Sequence, residues 1–234
     1  MGSRSIESAQ KNVEGRNFDI RRHVVQYDDV MNKHREIMYK RRQKLLEKIS
    51  RSSDSTIADR KEANDSLHDE VLSMLKREIS TLTEQHLQGI DSEMWTVKEL
   101  RKALGGLHPE LEHGIGETDI LSQADSREAA TLIETLVLSF YAKKCTHFGE
   151  PLTQRAEQII ILQSIDTHWM DHIDAMAHLR EQVAFSGYAQ RDPLIEYQDQ
   201  GFRMFQSLLH TIASTTVRTL LQIDFAQFGS PQIS

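Results

Sequence analysis

Two stretches near the C-terminus repeat apolar residues every three or four positions. This is the spacing of an amphipathic helix, whose apolar stripe has to be buried against another element. The first stretch contains Leu162, Ile165, Trp169, Ile173, Met176, Leu179 and Val183, and the second contains Phe202, Phe205, Leu209, Ile212, Thr216, Leu220 and Ile223. We therefore expect two long helices that pack along their apolar stripes.

The segment between the two stretches has the signals of a tight connection. Gly187 can adopt the left-handed conformation that ends a helix, and Asp192 followed by Pro193 is a typical helix start. The pattern predicts an antiparallel helical hairpin whose tip is formed by residues 186–191. The residues predicted to pack in its stem are Trp169, Ile173, Met176, Phe202 and Phe205.

Tyr188 lies within the predicted tip. Because a turn directs its side chains away from both helices, we expect the ring to be exposed and available for contact with a partner. The alternative is that Tyr188 folds back and packs against its own loop.

Residues 6–49 also carry apolar residues near helical spacing, without any proline. We predict one very long helix, in which Gly15 costs on the order of 1 kcal/mol and makes residues 15–18 the place for a break. The serine-rich residues 50–55 are expected to end it. Only four prolines and eleven glycines punctuate the 234 residues, so the predicted fold class is all-α.

Charge is distributed unevenly along the chain. The net charge is −7, but residues 1–50 contain twelve Lys and Arg against seven Asp and Glu. The basic residues of the predicted helix are Lys33, Arg35, Lys40, Arg41, Arg42, Lys44 and Lys48. One hypothesis is therefore a self-contained helical adaptor that binds protein or nucleic acid through residues 33–48. The acidic balance of the chain favours a solvated face or an acidic protein partner over nucleic acid.

No motif for catalysis or metal binding stands out. His168 and His172 have the spacing of a zinc-chelating pair, but Trp169 occupies the position where a zincin carries its catalytic Glu. We therefore interpret both as ordinary helix-surface histidines. The sequence lacks a glycine-rich phosphate loop and an evident nucleophile motif, and its single Cys145 excludes an internal disulfide. We expect no catalytic, cofactor or metal residues in this chain.

Several longer strings resemble the SecA family, the ATP-driven motor of bacterial protein export. AQKNVE at 9–14, RNFDIR at 16–21 and YDDV at 27–30 are similar to the start of that family's helical scaffold. LQSID at 162–166, GYAQRDP at 187–193 and FRMF at 202–205 are similar to its two-helix finger. Two departures are Gln182, where the family usually has Gly, and Ser186, where it usually has Arg just before the tip Gly-Tyr.

The resemblance implies a division of the chain and a role for each part. Residues 1–3 would be an expression leader, 4–50 the scaffold helix, 51–150 the helical wing, 151–226 the two-helix finger and 227–234 a tail. The scaffold would link the motor domains, and the finger would contact the SecY channel and the unfolded preprotein and restrain the ATPase. The tip contacts would be Gly187, Tyr188, Gln190 and Arg191.

The resemblance also implies what this chain lacks and where it works. ATP and Mg²⁺ would be bound by domains of the parent protein that are absent here, so the fragment itself would not be an enzyme. Its partners would be the channel, the preprotein and its own motor domains, in the cytoplasm at the inner membrane. An uncovered apolar stripe would favour self-association of the isolated fragment.

Overall fold

The computed structural model of this chain describes residues 2–54, 57–89, 92–185 and 192–229, and every regular element in these ranges is helical. The all-α prediction is therefore confirmed. The α-helices are α1 (Gly2–Asp54), α2 (Ile57–His86), α3 (Val97–Leu107), α4 (Pro109–His113), α5 (Glu117–Leu121), α6 (Ser126–Phe148), α7 (Glu150–Phe185) and α8 (Pro193–Gln222). Short 3₁₀ helices occupy Ser92–Met94 and Phe225–Phe228.

Helix α1 is unbroken from Gly2 to Asp54. It passes through Gly15 without interruption, since one glycine costs less than the helix gains from the proline-free sequence around it. At about 1.5 Å per residue, its 53 residues extend about 80 Å. A helix of this length draws its stability from neighbouring elements rather than from propensity alone.

Local signals set several helix ends. Asp125 followed three residues later by Glu128 predicts a helix start, and the Asp125 side chain accepts a hydrogen bond from the Glu128 N–H at 2.8 Å at the start of α6. Gly149 has a positive φ of 81° and donates its N–H to the Cys145 carbonyl, which ends α6. The Asp192 carboxylate accepts from the Leu194 N–H at 2.8 Å at the start of α8.

The sequence Thr96-Val97-Lys98-Glu99 predicts a capping box, in which the Thr and Glu side chains each accept a backbone N–H at a helix start, and this prediction is wrong. Thr96 is the residue before α3, but its hydroxyl makes no cap hydrogen bond. It instead lies 2.8 Å from Nδ1 of His86, and the Thr96 N–H donates to the His86 carbonyl. This tertiary contact with the end of α2 takes the place of the local cap.

The chain forms two compact units. Unit 1 comprises Met1–Gln43 and Thr167–Leu209, and unit 2 comprises Lys44–Asp166 and His210–Ser234. Each unit contains parts of α1, α7 and α8, because these helices are long enough to run through both. The division into scaffold, wing and finger segments remains a prediction.

The core of unit 2 contains apolar stripes from three of its helices. Buried side chains are Leu67, Val71, Met74, Leu75 and Ile79 of α2, Leu100, Leu104 and Leu107 of α3, and Ala129, Ile133, Val137 and Tyr141 of α6. The end of α8 is capped from α6, where Nζ of Lys144 donates to the carbonyls of Leu220 and Leu221 at 2.9 and 2.7 Å. Lys144 also lies over the Phe225 ring.

Among the described helices, none contains an apolar stretch that could span a membrane.

Candidate functional site

Unit 1 holds the residues predicted to form the stem of the hairpin. In this unit α1, α7 and α8 share one buried contact, which we call the seam. Its buried members are His34 and Met38 of α1, Trp169, His172, Met176, Leu179 and Val183 of α7, and Tyr197, Phe205 and Leu208 of α8. Their spacings of three, four or eight residues, the last being about two helical turns, place the members of each helix on one face. The long N-terminal helix is therefore part of the core on which the hairpin helices pack.

A cluster of aromatic rings forms one end of the seam. The His34 ring stacks on Phe205 with centroids 4.3 Å apart, and Trp169 stacks on His172 at 5.6 Å. Nε2 of His172 and Nδ1 of His34 are 3.2 Å apart, so one imidazole donates to the other. Because each ring nitrogen in this contact has a partner, two polar side chains are accommodated among apolar rings.

His172 contradicts the interpretation of a helix-surface histidine. It is only 5% exposed, because it lies three residues after Trp169 and four before Met176, on the same buried stripe. Burial, together with a smaller effect of the neighbouring His34, lowers its pKa to about 4. Burial also lowers the pKa of His34. Both rings are therefore neutral at physiological pH.

Packing around Met176 forms the other end of the seam. Met176, Leu179, Val183 and Tyr197 make one buried cluster, against which Tyr27 and Val30 of α1 pack. The rings of Tyr27 and Tyr197 meet edge to face at 4.8 Å. At the margin of this cluster, a guanidinium nitrogen of Arg180 lies 3.3 Å from the Asp28 carboxylate. The sequence pattern did not indicate this ion pair.

The predicted stem residues are withdrawn from solvent, with one exception. Trp169, Met176 and Phe205 are buried and Ile173 is half-buried. Phe202, however, is 62% exposed and is not a packing residue of the stem. The buried face of α8 follows Tyr197, Gly201, Phe205 and Leu208, and Phe202 is turned about 100° away from Gly201. The prediction failed because a glycine on the buried stripe does not register as apolar.

The predicted tip contacts Gly187, Tyr188, Gln190 and Arg191 lie outside the described residues. On α8, which follows this segment in the sequence, Ile195 and Phe202 are exposed. Their separation of seven residues places them on one side of the helix. Other exposed apolar side chains of unit 1 are Val25, Ile37, Tyr39 and Met170.

Some of the basic residues at 33–48 have acidic partners. Lys40 pairs with Glu36 at 2.6 Å on α1, and in unit 2 Lys48 pairs with Glu70 of α2 at 3.3 Å. These pairs reduce the positive field that a phosphate backbone would require. Nothing in the structure or the comparisons below supports the nucleic-acid adaptor hypothesis.

A metal or nucleotide site would need clustered ligands or a phosphate-binding loop. Within the four described ranges, no three His, Cys, Asp or Glu side chains lie together in a way that could hold a metal ion. The glycines with positive φ in these ranges are Gly89 and Gly149, far apart in sequence. The loop that cradles nucleotide phosphates carries several glycines close together in the sequence. Neither Gly89 nor Gly149 belongs to such a motif.

Comparison with known proteins identifies one family over most of this chain. The family model described as "SecA Wing and Scaffold domain" matches residues 1–224. Protein translocase subunit SecA of Dehalococcoides mccartyi is 35% identical over 222 residues, which is 95% of this chain and 21% of that protein. The subunits of Clostridium acetobutylicum and Clostridium botulinum are each 35% identical, covering 95% and 96% of this chain and 25% of their own lengths. The chain thus spans about a fifth to a quarter of these relatives.

Proposed function

Because this chain belongs to the SecA family, we propose that it is the non-catalytic scaffold, wing and two-helix-finger part of a protein-translocation motor. The scaffold helix α1 links the motor domains, and α7 and α8 form the finger. The finger contacts a SecY-type channel and the translocating preprotein, and it regulates the ATPase. The observation that carries the proposal is the seam, in which α1 packs on both hairpin helices.

The seam supports a mechanical role. A movement of α1 relative to α7 or α8 would have to separate the stacked rings of His34 and Phe205 and the buried cluster around Met176. Close-packed interiors resist such deformation. A displacement at one end of α1 is therefore passed to the hairpin, which is the physical basis for coupling between two sites.

Contact with polypeptide is assigned to the hairpin tip and the surface beside it. Tyr188, Gly187, Gln190 and Arg191 are the proposed tip contacts, on the basis of the family resemblance. The exposed Ile195 and Phe202 offer apolar area on α8 near the tip. Large apolar side chains that remain exposed on a folded surface are suited to an unfolded substrate of varied sequence.

Nucleotide chemistry is assigned to the rest of the parent motor. ATP and Mg²⁺ supply the free energy for transport when bound there, and this chain's residues position the finger. Its partners are then the channel, the preprotein and the motor domains of the same polypeptide. Its place in the cell is the cytoplasm, at the inner membrane through the channel.

The tip role is tested in a full-length motor that carries this segment. Tyr188→Ala should lower preprotein translocation severalfold while leaving folding and basal ATP hydrolysis intact, since the proposed role of Tyr188 is a contact with a partner. Trp169→Ala is the comparison, because it opens a cavity in the seam and should also lower the melting temperature. Normal translocation by Tyr188→Ala together with loss in Trp169→Ala would leave only the scaffold role.

A further inference from the structure

Unit 2 contains a buried carboxylate that is only half satisfied. Glu157 of α7 is fully buried, and its Oε1 accepts a hydrogen bond from the Tyr141 hydroxyl at 2.7 Å. Nδ1 of His68 lies 2.6 Å from the same oxygen. The other oxygen, Oε2, is buried without a hydrogen-bond partner. An unsatisfied buried acceptor costs about 1–3 kcal/mol, and more when it is charged.

Glu157 lines a cleft of about 430 Å³. The other lining residues include His68, Cys145, Gly149, Glu150 and Thr153. Among the described lining residues two are carboxylates, Glu150 and Glu157, and none is a lysine or arginine. The Thr153 hydroxyl donates to the carbonyls of Gly149 and Cys145, so it is not directed at the carboxylate. The described lining thus presents hydrogen-bond acceptors and two carboxylates, of which Glu157 is paired through Oε1 with His68 and has its Oε2 left without a partner.

These features select the class of ligand. The cleft is much larger than the ~30 Å³ that one water molecule occupies in the liquid. Phosphate or carboxylate ligands would be repelled by Glu150 and Glu157. In the part of the chain that the structure describes, no cluster has the ligands for a metal ion. An organic cation supplies both the missing donor and the opposite charge.

We propose that this cleft binds an organic cation, an ammonium or guanidinium group on an aliphatic stem, which donates to Oε2 of Glu157. The stem lies along the Cys145 side of the cleft. Two sources share this chemistry, namely a free alkyl amine and a basic side chain of a peptide. The inference concerns unit 2 alone and does not depend on the proposed function.

Cys145 makes the site directly measurable. It is the only cysteine of the chain and lines the cleft. Burial raises the pKa of its thiol to about 11, with the charge of Glu157 adding to the effect, so its reaction with N-ethylmaleimide is slow and easily followed. A molecule in the cleft blocks the reagent, and the rate of modification reports occupancy.

The test compares n-butylguanidinium with n-butylurea, its neutral counterpart of the same shape, at constant ionic strength. The cation should slow modification about fivefold or more in a saturable way, and the urea should not. An arginine-containing tripeptide amide is the second probe. If the tripeptide protects Cys145 at a lower concentration than the free cation does, the ligand is a basic side chain of a peptide. If only the free cation protects, the ligand is a small amine. Equal protection by cation and urea, or none by either cation, would overturn the proposal.

Two variants provide the control. Glu157→Gln should abolish protection, whereas Glu78→Gln should retain it. Glu78 is the matched residue, since it is also a buried glutamate of unit 2, accepts from Ser214 at 2.8 Å and does not line the cleft. Protection that persists in a folded Glu157→Gln protein contradicts the proposal. If circular dichroism shows that this variant is unfolded, the guanidinium and urea comparison on the unaltered chain still decides.

Discussion

Nε2 of His172 lies 3.2 Å from Nδ1 of His34, although the two residues are 138 positions apart in the sequence. The pair joins α1 to α7 inside the seam of unit 1, between the rings of Phe205 and Trp169. Burial holds the pKa of both imidazoles below the ordinary value, to about 4 for His172. Because burial disfavours a positive charge on either ring, the seam is sensitive to acid.

The first prediction is that unit 1 loses stability in acid. In the unfolded chain a histidine titrates near pH 6.5, so below this pH the unfolded state binds more protons than the folded one. The contribution of the pair is complete above about pH 6.5 and is lost as the pH falls toward 4, by up to about 3 kcal/mol for His172. Urea unfolding should be followed by Trp169 fluorescence in a Trp95→Phe background.

His172→Phe should flatten this pH dependence, because it removes one titrating ring and keeps its bulk. His178→Gln is the control on the same helix, since His178 is exposed and its loss should leave the slope unchanged. An equal slope in the unaltered chain and His172→Phe would rule out the pair as the source.

Two phenylalanines three residues apart on α8 should differ sharply. Phe205→Ala opens a cavity beside His34 and is expected to cost about 3–5 kcal/mol of unfolding free energy. Phe202→Ala should cost less than about 0.5 kcal/mol, because the ring is exposed. Comparable losses in both, measured by urea unfolding, would mean that the buried face of α8 has been assigned incorrectly.

Because Gly201 has no side chain, α8 can pack closely against Met176. A Cβ at this position would lie 2.9 Å from the terminal methyl of Met176, which is the mobile end of a flexible side chain. Gly201→Ala should therefore stay within about 1 kcal/mol of the unaltered chain, as better helix propensity offsets the shift of Met176. Gly201→Leu should lose about 1–3 kcal/mol by overpacking. Calorimetric melting that is unchanged for the leucine variant would refute the close approach.

The ion pair between Asp28 and Arg180 is expected to contribute little. Both side chains are about half exposed, and such pairs are typically worth about 0–1 kcal/mol. A double-mutant cycle with Asp28→Asn and Arg180→Gln should give a coupling energy below about 1 kcal/mol that shrinks further in high salt. A coupling well above this value would show that the pair, rather than the buried rings, holds α1 on the hairpin.

The sequence predicted the helices and helix ends that depend on residues close together in the chain. The helices around Trp169 and Phe205, the cap at Asp125 and the helix end at Gly149 follow from residues within one or two turns. The seam was only partly predictable, because it joins residues far apart in the chain. His34 lies on the apolar spacing of α1, which indicated its burial but not its partner.

Besides the surface assignment of His172, two local predictions failed for identifiable reasons. Phe202 was assigned to the stem because apolar residues alone were counted, and Gly201 holds the buried position instead. Thr96 was assigned a cap that competition from His86 removes. In both cases a neighbouring helix, which the local pattern does not contain, decides the outcome.

The most direct test of the account places a photocrosslinker at position 188 of a full-length motor that carries this segment. With a preprotein stalled in the channel, Tyr188→benzoylphenylalanine should crosslink to the preprotein or the channel. The same crosslinker at Met94, an exposed residue of unit 2, should not. Crosslinking at 94 but not at 188, or at neither position in an actively transporting motor, would contradict the assignment of the hairpin tip as the polypeptide contact.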